Sequence, residues 1–143
     1  MNISPQIAAL IAGVRTFVVG KLERGEGFSA ILLSEHPVGK KVSLFCLNSV
    51  EEALAVCREE LSGSLRDASA YTLVYDARAD VDGAPCPLLV FQIESRDDGK
   101  SLRFSEAYVL APSRNAGAPR HFQGEEELRF AGEGEPWLPA TPP

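Results

Sequence analysis

The chain reads as an α+β domain: a mostly antiparallel sheet of five or six strands with two helices packed on one face. The expected order is α-β-β-α-β-β-β, with one further strand after it. Three observations predict this. Two Asp-Gly corners, Asp82-Gly83 and Asp98-Gly99, separate three runs of β-forming residues, and Asp-Gly tolerates the positive φ angles of a tight type I′ turn. Residues 71–110 therefore read as a three-stranded meander. Two apolar stripes at three- and four-residue spacing mark helices. A length of 143 residues allows one core and not two.

In chain order, Ser4-Pro5 opens the first helix. The Ser hydroxyl can cap free backbone amides, and Pro at the first helical position forgoes an amide that would otherwise go unpaired. Ile7, Leu10, Ile11, Val14, Phe17, Val18 and Leu22 line one face, and the helix should stop before Gly25 or Gly27. Residues 28–34 and 42–47 are nearly continuous apolar runs, read as strands covered on both faces. The segment between them holds Pro37 and Gly39 and reads as a longer loop, 36–41. Ser49-Val50-Glu51-Glu52 has the form of a capping box, in which Ser49 reaches the Glu52 amide. Val50, Ala53, Leu54, Cys57 and Leu61 follow at helical spacing until Gly63. Past Pro112 the chain becomes polar and Gly/Pro-punctuated, with residues 127–131 expected to add an edge strand. The domain should span 1–132, leaving 133–143 as a Pro-rich mobile end.

If Asp82-Gly83 is a two-residue corner, Val81 faces Ala84 and the pairing follows by counting. Tyr71 meets Glu94, Leu73 meets Gln92, Val74 meets Phe91 and Asp76 meets Leu89. A second two-residue corner would carry the rows from Glu94 to Arg103, Phe91 to Glu106 and Leu89 to Tyr108. Alternation then sorts the side chains into two sets. Thr72, Val74, Leu89, Phe91, Ile93 and Phe104 should lie under the helices, so that the Ile7 and Val50 stripes bury against Phe91, Ile93 and Phe104. Tyr71, Leu73, Tyr75, Gln92, Glu94 and Arg103 form a mixed aromatic and polar face, expected to be wetter and to carry a Glu94–Arg103 cross-strand pair. Such a face suits a protein interface, and the alternative is that the first helix or the tail covers it.

Asp76 and Glu106 break the apolar row, and Tyr108 is expected level with Asp76. A carboxylate there must find a partner, reach water or hold a proton. These three residues form an alternative ligand or enzyme pocket. Their expected separation, roughly 11 Å between the carboxylates from strand spacing and rise, is long for a glycosidase pair.

Net charge is −6, and Lys40-Lys41 and the cations near Arg103 are too few for a basic stripe, so nucleic acid is not an expected partner. The apolar run 7–19 is shorter than the roughly 20 residues of a membrane span. No Lys or Arg precedes it, and Arg15 interrupts it. Neither membrane association nor a secretory signal is expected, and a cytoplasmic location follows. Cys46, Cys57 and Cys86 are three in number, without metal-ligand or disulfide spacing, and read as buried free thiols. His36 and His121 read as surface residues, Glu125-Glu126-Glu127 as a solvated run, and neither a metal nor a cofactor is expected.

Tyr71-Thr72-Leu73-Val74-Tyr75-Asp76, then Asp82-Gly83, then residues 88–94 and 104–108 resemble a group of small uncharacterised bacterial proteins with a helix–hairpin–helix–meander layout. The resemblance covers about a third of the chain well and the two helices loosely. It implies a bacterial α+β domain and brings no catalytic residues; Ala77 stands where that pattern has Gly. The expected function is a non-catalytic interaction or accessory role, toward a protein partner or a second copy. It would use the aromatic/polar face or a free sheet edge.

Overall fold

The computed structural model describes residues 5–112, 120–124 and 128–139. The elements are α1 (Pro5–Glu23), β1 (Ala30–His36), β2 (Gly39–Phe45), α2 (Val50–Ser62), β3 (Ala70–Val81), β4 (Ala84–Ser95), β5 (Ser101–Pro112), β6 (Arg120–Gly124) and β7 (Arg129–Gly134). The strands form one antiparallel sheet in the order β2-β1-β3-β4-β5-β6, with β7 also paired to β5. The α+β class and the order α-β-β-α-β-β-β are those the sequence predicts, with β6 as an addition. Ser4, the expected cap of α1, lies outside the described residues.

Local chemistry sets the element ends. Gly25 at φ +72° turns the chain after α1, and the Glu26 amide returns to the Lys21 carbonyl at 2.9 Å. Ser49 caps α2 by accepting from the Glu52 amide at 3.1 Å. His36 pairs with Gly39, so Pro37-Val38 alone joins β1 to β2, a tighter hairpin than the loop expected over 36–41.

The first Asp-Gly corner is as counted. Asp82 (φ +52°) and Gly83 (φ +81°) both take positive φ, and every pair from Tyr71↔Glu94 to Val81↔Ala84 holds. The second corner differs. A 3-10 turn, Arg96–Asp98, precedes Gly99, and β5 meets β4 two residues earlier than a two-residue corner would give: Phe91 faces Phe104 and Gln92 faces Arg103. The cause is tertiary. The Arg96 amide donates to Ser69 O at 2.9 Å and its guanidinium caps Ala68 O, which holds the loop wide. A slip of two preserves the side-chain faces. Glu94 and Arg103 are therefore not cross-strand partners, a correction to the expected pair.

Leu10, Ile11, Val14 and Val18 of α1 bury against Ile31, Leu33, Val74, Phe91, Ile93 and Phe104. The α2 stripe departs from the expected contact. Ala53, Cys57 and Leu61 bury against Ala30, Leu32, Tyr71 and Leu73 instead. Successive β1 residues feed different clusters because strand side chains alternate in direction, so the row expected to be wet lies under α2. β1 is covered on both faces, as expected, but β2 is not; most of its residues are exposed. β7 runs past the boundary expected at 132, and residues 135–139 lie on the α2 side with Leu138 buried. Residues 140–143, the rest of the expected mobile end, lie outside the described residues.

Candidate functional site

The aromatic and polar row is placed together, and it is dry. Tyr71, Leu73, Gln92 and Glu94 are each at most 3% exposed; Tyr75 is half-buried and Arg103 stays at the surface. Polar side chains at such depth must satisfy one another, and they do so in one chain of hydrogen bonds. Arg103 Nε donates to Gln92 Oε1 at 3.1 Å, Gln92 Nε2 donates to the Tyr71 hydroxyl at 3.0 Å, and that hydroxyl donates to Glu94 Oε1 at 3.0 Å. Burial, foremost, and the adjacent Glu94 push the Tyr71 phenol well above its ordinary range. Of the two readings of this row, the structure has it covered, by α2 and the segment after β7 in place of the first helix.

The alternative pocket divides into two pairs. Asp76 and Glu106 both face Leu89, one row closer than expected. Glu106 is held by Arg15, which donates from Nε at 2.8 Å and from a terminal nitrogen at 2.7 Å. Asp76 accepts from the Tyr108 hydroxyl at 2.8 Å. Burial raises the Asp76 carboxyl, partly offset by that hydrogen bond and by Arg78. Beside them, Tyr108 stacks on Phe122 at 5.0 Å, and Arg15 lies 5.3 Å over the Phe122 ring. Each carboxylate thus has its own side-chain partner, Arg15 for Glu106 and Tyr108 for Asp76.

One trio escaped sequence reasoning. Ser34 Oγ lies 2.7 Å from His36 Nε2, and His36 Nδ1 lies 2.8 Å from Asp67 Oδ1. This is the order of a nucleophile, base and orienting acid. Ser34 has no exposed surface, however, and does not line the cleft of about 290 Å³ beside His36 and Asp67. A hydroxyl that meets no substrate is no nucleophile, so the trio serves as a clamp between β1 and the α2–β3 connection. The Ser-x-His alternation on one strand was its only sequence signal; Asp67 is brought in by the fold.

The β2 edge is open. Among the described residues β2 pairs with β1 alone. Val42 and Leu44, opposite Leu33 and Ile31, face the α1 side yet remain 55% and 45% exposed; Phe17 of α1 is 44% exposed. Between α1 and this edge lies a groove of about 340 Å³ with Gly13, Val14, Phe17, Ile31, Leu33 and Val42 among its lining, and Lys40 is its one charged lining residue among the described residues. Lys40 sits 3.6 Å from Glu35 across the hairpin, and Lys41 is exposed on the other face.

Of the cysteines, only Cys57 is buried, its thiol pushed up to about 12 by burial and by Glu60. Cys46 is exposed and Cys86 half-buried, which corrects the expectation of three buried thiols. Among the described residues no group of three His, Cys, Asp or Glu side chains is placed to hold a metal, and no helix is long and apolar enough to cross a membrane. No protein-family model, curated protein or solved structure matches the chain.

Proposed function

We propose that this protein is a non-catalytic interaction module that receives an extended segment of another protein along the open edge of β2. The observation that carries this reading is the exposed Val42–Leu44–Phe17 surface beside the groove on α1. An edge strand offers unpaired amides and carbonyls, and proteins normally blunt such edges against pairing. Here the edge keeps two apolar side chains in water next to an apolar trough. Strand addition would satisfy the backbone groups, while alternate side chains of the guest would enter the groove.

The charge suggests the chemistry of the guest. The chain carries −6 overall, yet its exposed edge presents Lys40 and Lys41. A segment alternating apolar and acidic residues would set its apolar side chains on Val42 and Leu44 and a carboxylate toward Lys40.

A displayed library of extended peptides tests this directly. Peptides of apolar–acidic alternation should be enriched, and amide NMR shifts on binding should concentrate in Gly39–Phe45 and the facing turn of α1. Val42→Glu should abolish binding without unfolding the chain, because Val42 is half-exposed. Enrichment of peptides whose binding ignores Val42→Glu would refute the β2 reading. Concentration-dependent dimers broken by that substitution would replace the foreign segment with a second copy.

A further inference from the structure

The row on which Tyr71 and Glu94 lie does meet a peptide, and that peptide is the chain's own. After β7, residues 135–139 cross the α2 side without joining the sheet ladder. The Trp137 amide donates to Glu94 Oε1 at 2.8 Å and the Leu138 amide to Glu94 Oε2 at 3.2 Å. The Trp137 ring stacks over Tyr71 with centroids 6.4 Å apart, and the Arg58 guanidinium lies 5.6 Å from the centroid of the Trp137 ring while pairing with Glu135. Leu138 is buried in the cluster of Ala53, Cys57 and Leu61. Arg96 donates to the Pro139 carbonyl, and Ser101 Oγ donates to the Glu135 carbonyl at 3.0 Å.

These are the contacts of a bound ligand. A buried carboxylate reads two successive main-chain amides, an aromatic ring receives an indole, an apolar socket receives a leucine, and a guanidinium holds the last carbonyl. We propose that the α2 face is a peptide-binding groove, occupied in cis by residues 135–139 and open to the same segment of a second copy when the cis segment lets go. The segment has no ladder hydrogen bonds to lose, so its release is a local opening and not global unfolding. While docked it competes against any guest at the high effective concentration of a tethered ligand. This site is separate from the β2 edge and does not depend on it.

The test uses the full chain carrying Trp137→Ala and Leu138→Ala, with a blocked, fluorescein-labelled peptide of residues 134–139 as probe. The double variant should bind the peptide saturably. The wild-type chain should bind it at least tenfold more weakly, because its own segment occupies the groove. A peptide with alanine in place of tryptophan should bind the double variant at least tenfold more weakly, as expected for an aromatic anchor. That change is in the probe and leaves the protein fold untouched. If the double variant does not fold, Leu138→Ala alone serves with the same readout. The proposal fails if a folded variant ignores the peptide, if both peptides bind alike, or if the wild-type chain binds as tightly as the variant.

Discussion

Two glutamates on the two faces of the sheet, Glu106 under α1 and Glu94 under α2, solve the same problem by different means. Both are almost wholly buried, at 1% and 3% exposure. Glu106 meets a cation, the paired nitrogens of Arg15. Glu94 meets neutral donors: one phenol and two backbone amides from residues 137 and 138. A side-chain cation brings its own desolvation cost and fixes one helix to the sheet. Backbone amides bring less, and they tie down a segment that has no other regular partner. Around Glu106 the α1 face is closed by a helix side chain, whereas around Glu94 the α2 face is closed by something resembling a ligand.

The comparison breaks most sharply at Arg15. Arg15→Met should cost about 2–4 kcal/mol in urea unfolding, since it strands buried Glu106 without its cation. The cost is less than for a fully buried pair because the Arg15 side chain is 38% exposed. Adding Glu106→Leu should return much of that loss, and if the double variant is no more stable than the single one, the pair is not the cause. Gly124→Ala attacks the same carboxylate from β6. A Cβ there would collide with Glu106 Oε2, so the pair must shift, at about 2–3 kcal/mol.

Glu94→Gln should cost about 2 kcal/mol, the scale of hydrogen bonds to a charged group. It should also move the emission of Trp137, the only tryptophan, toward that of solvated indole. Loss of stability without that spectral change would separate the carboxylate from the strap.

Tyr108→Phe probes the half-buried carboxylate by pH. The Asp76 carboxyl is raised above 3.8 in the fold. Its protonated form is therefore favoured by folding, and stability declines as pH rises from 3.8 through the raised folded value. Removing the Tyr108 donor takes away an interaction that lowers this value, so the variant should lose about 1 kcal/mol relative to wild type at neutral pH and less in acid. Urea midpoints across that range measure it. Smallest, Thr72 has a buried hydroxyl with no partner among the described residues. Thr72→Val should stabilise by about 0.5–1 kcal/mol in the same assay.

Much of the fold was legible where the signal is local. Asp82-Gly83 names its own turn, because two residues of positive φ suffice and both side chains tolerate it. The same dipeptide at 98–99 misled, because Arg96 is anchored on the carbonyls of the α2–β3 connection, and no local rule reports a contact across 28 residues. The face parity survived, since a shift of two leaves every side chain on its side. Asp76 and Glu106 were visible as exceptions to an apolar row, while Arg15, 91 residues from Glu106, was not visible as the partner. The Tyr71–Glu94 row was legible as aromatic and polar but not as buried; wetness depends on what covers a face.

Sequence alone determined the helices, the first corner, the alternation of the meander and the identity of both special rows, because each follows from backbone sterics or side-chain period within a few residues. The tertiary structure decided which helix covers which row, where Arg15 and residues 135–139 come to rest, and that β2 is left open. Those outcomes depend on desolvation and on chain segments far apart in order, whose meeting costs and gains are felt only once the chain has closed on itself.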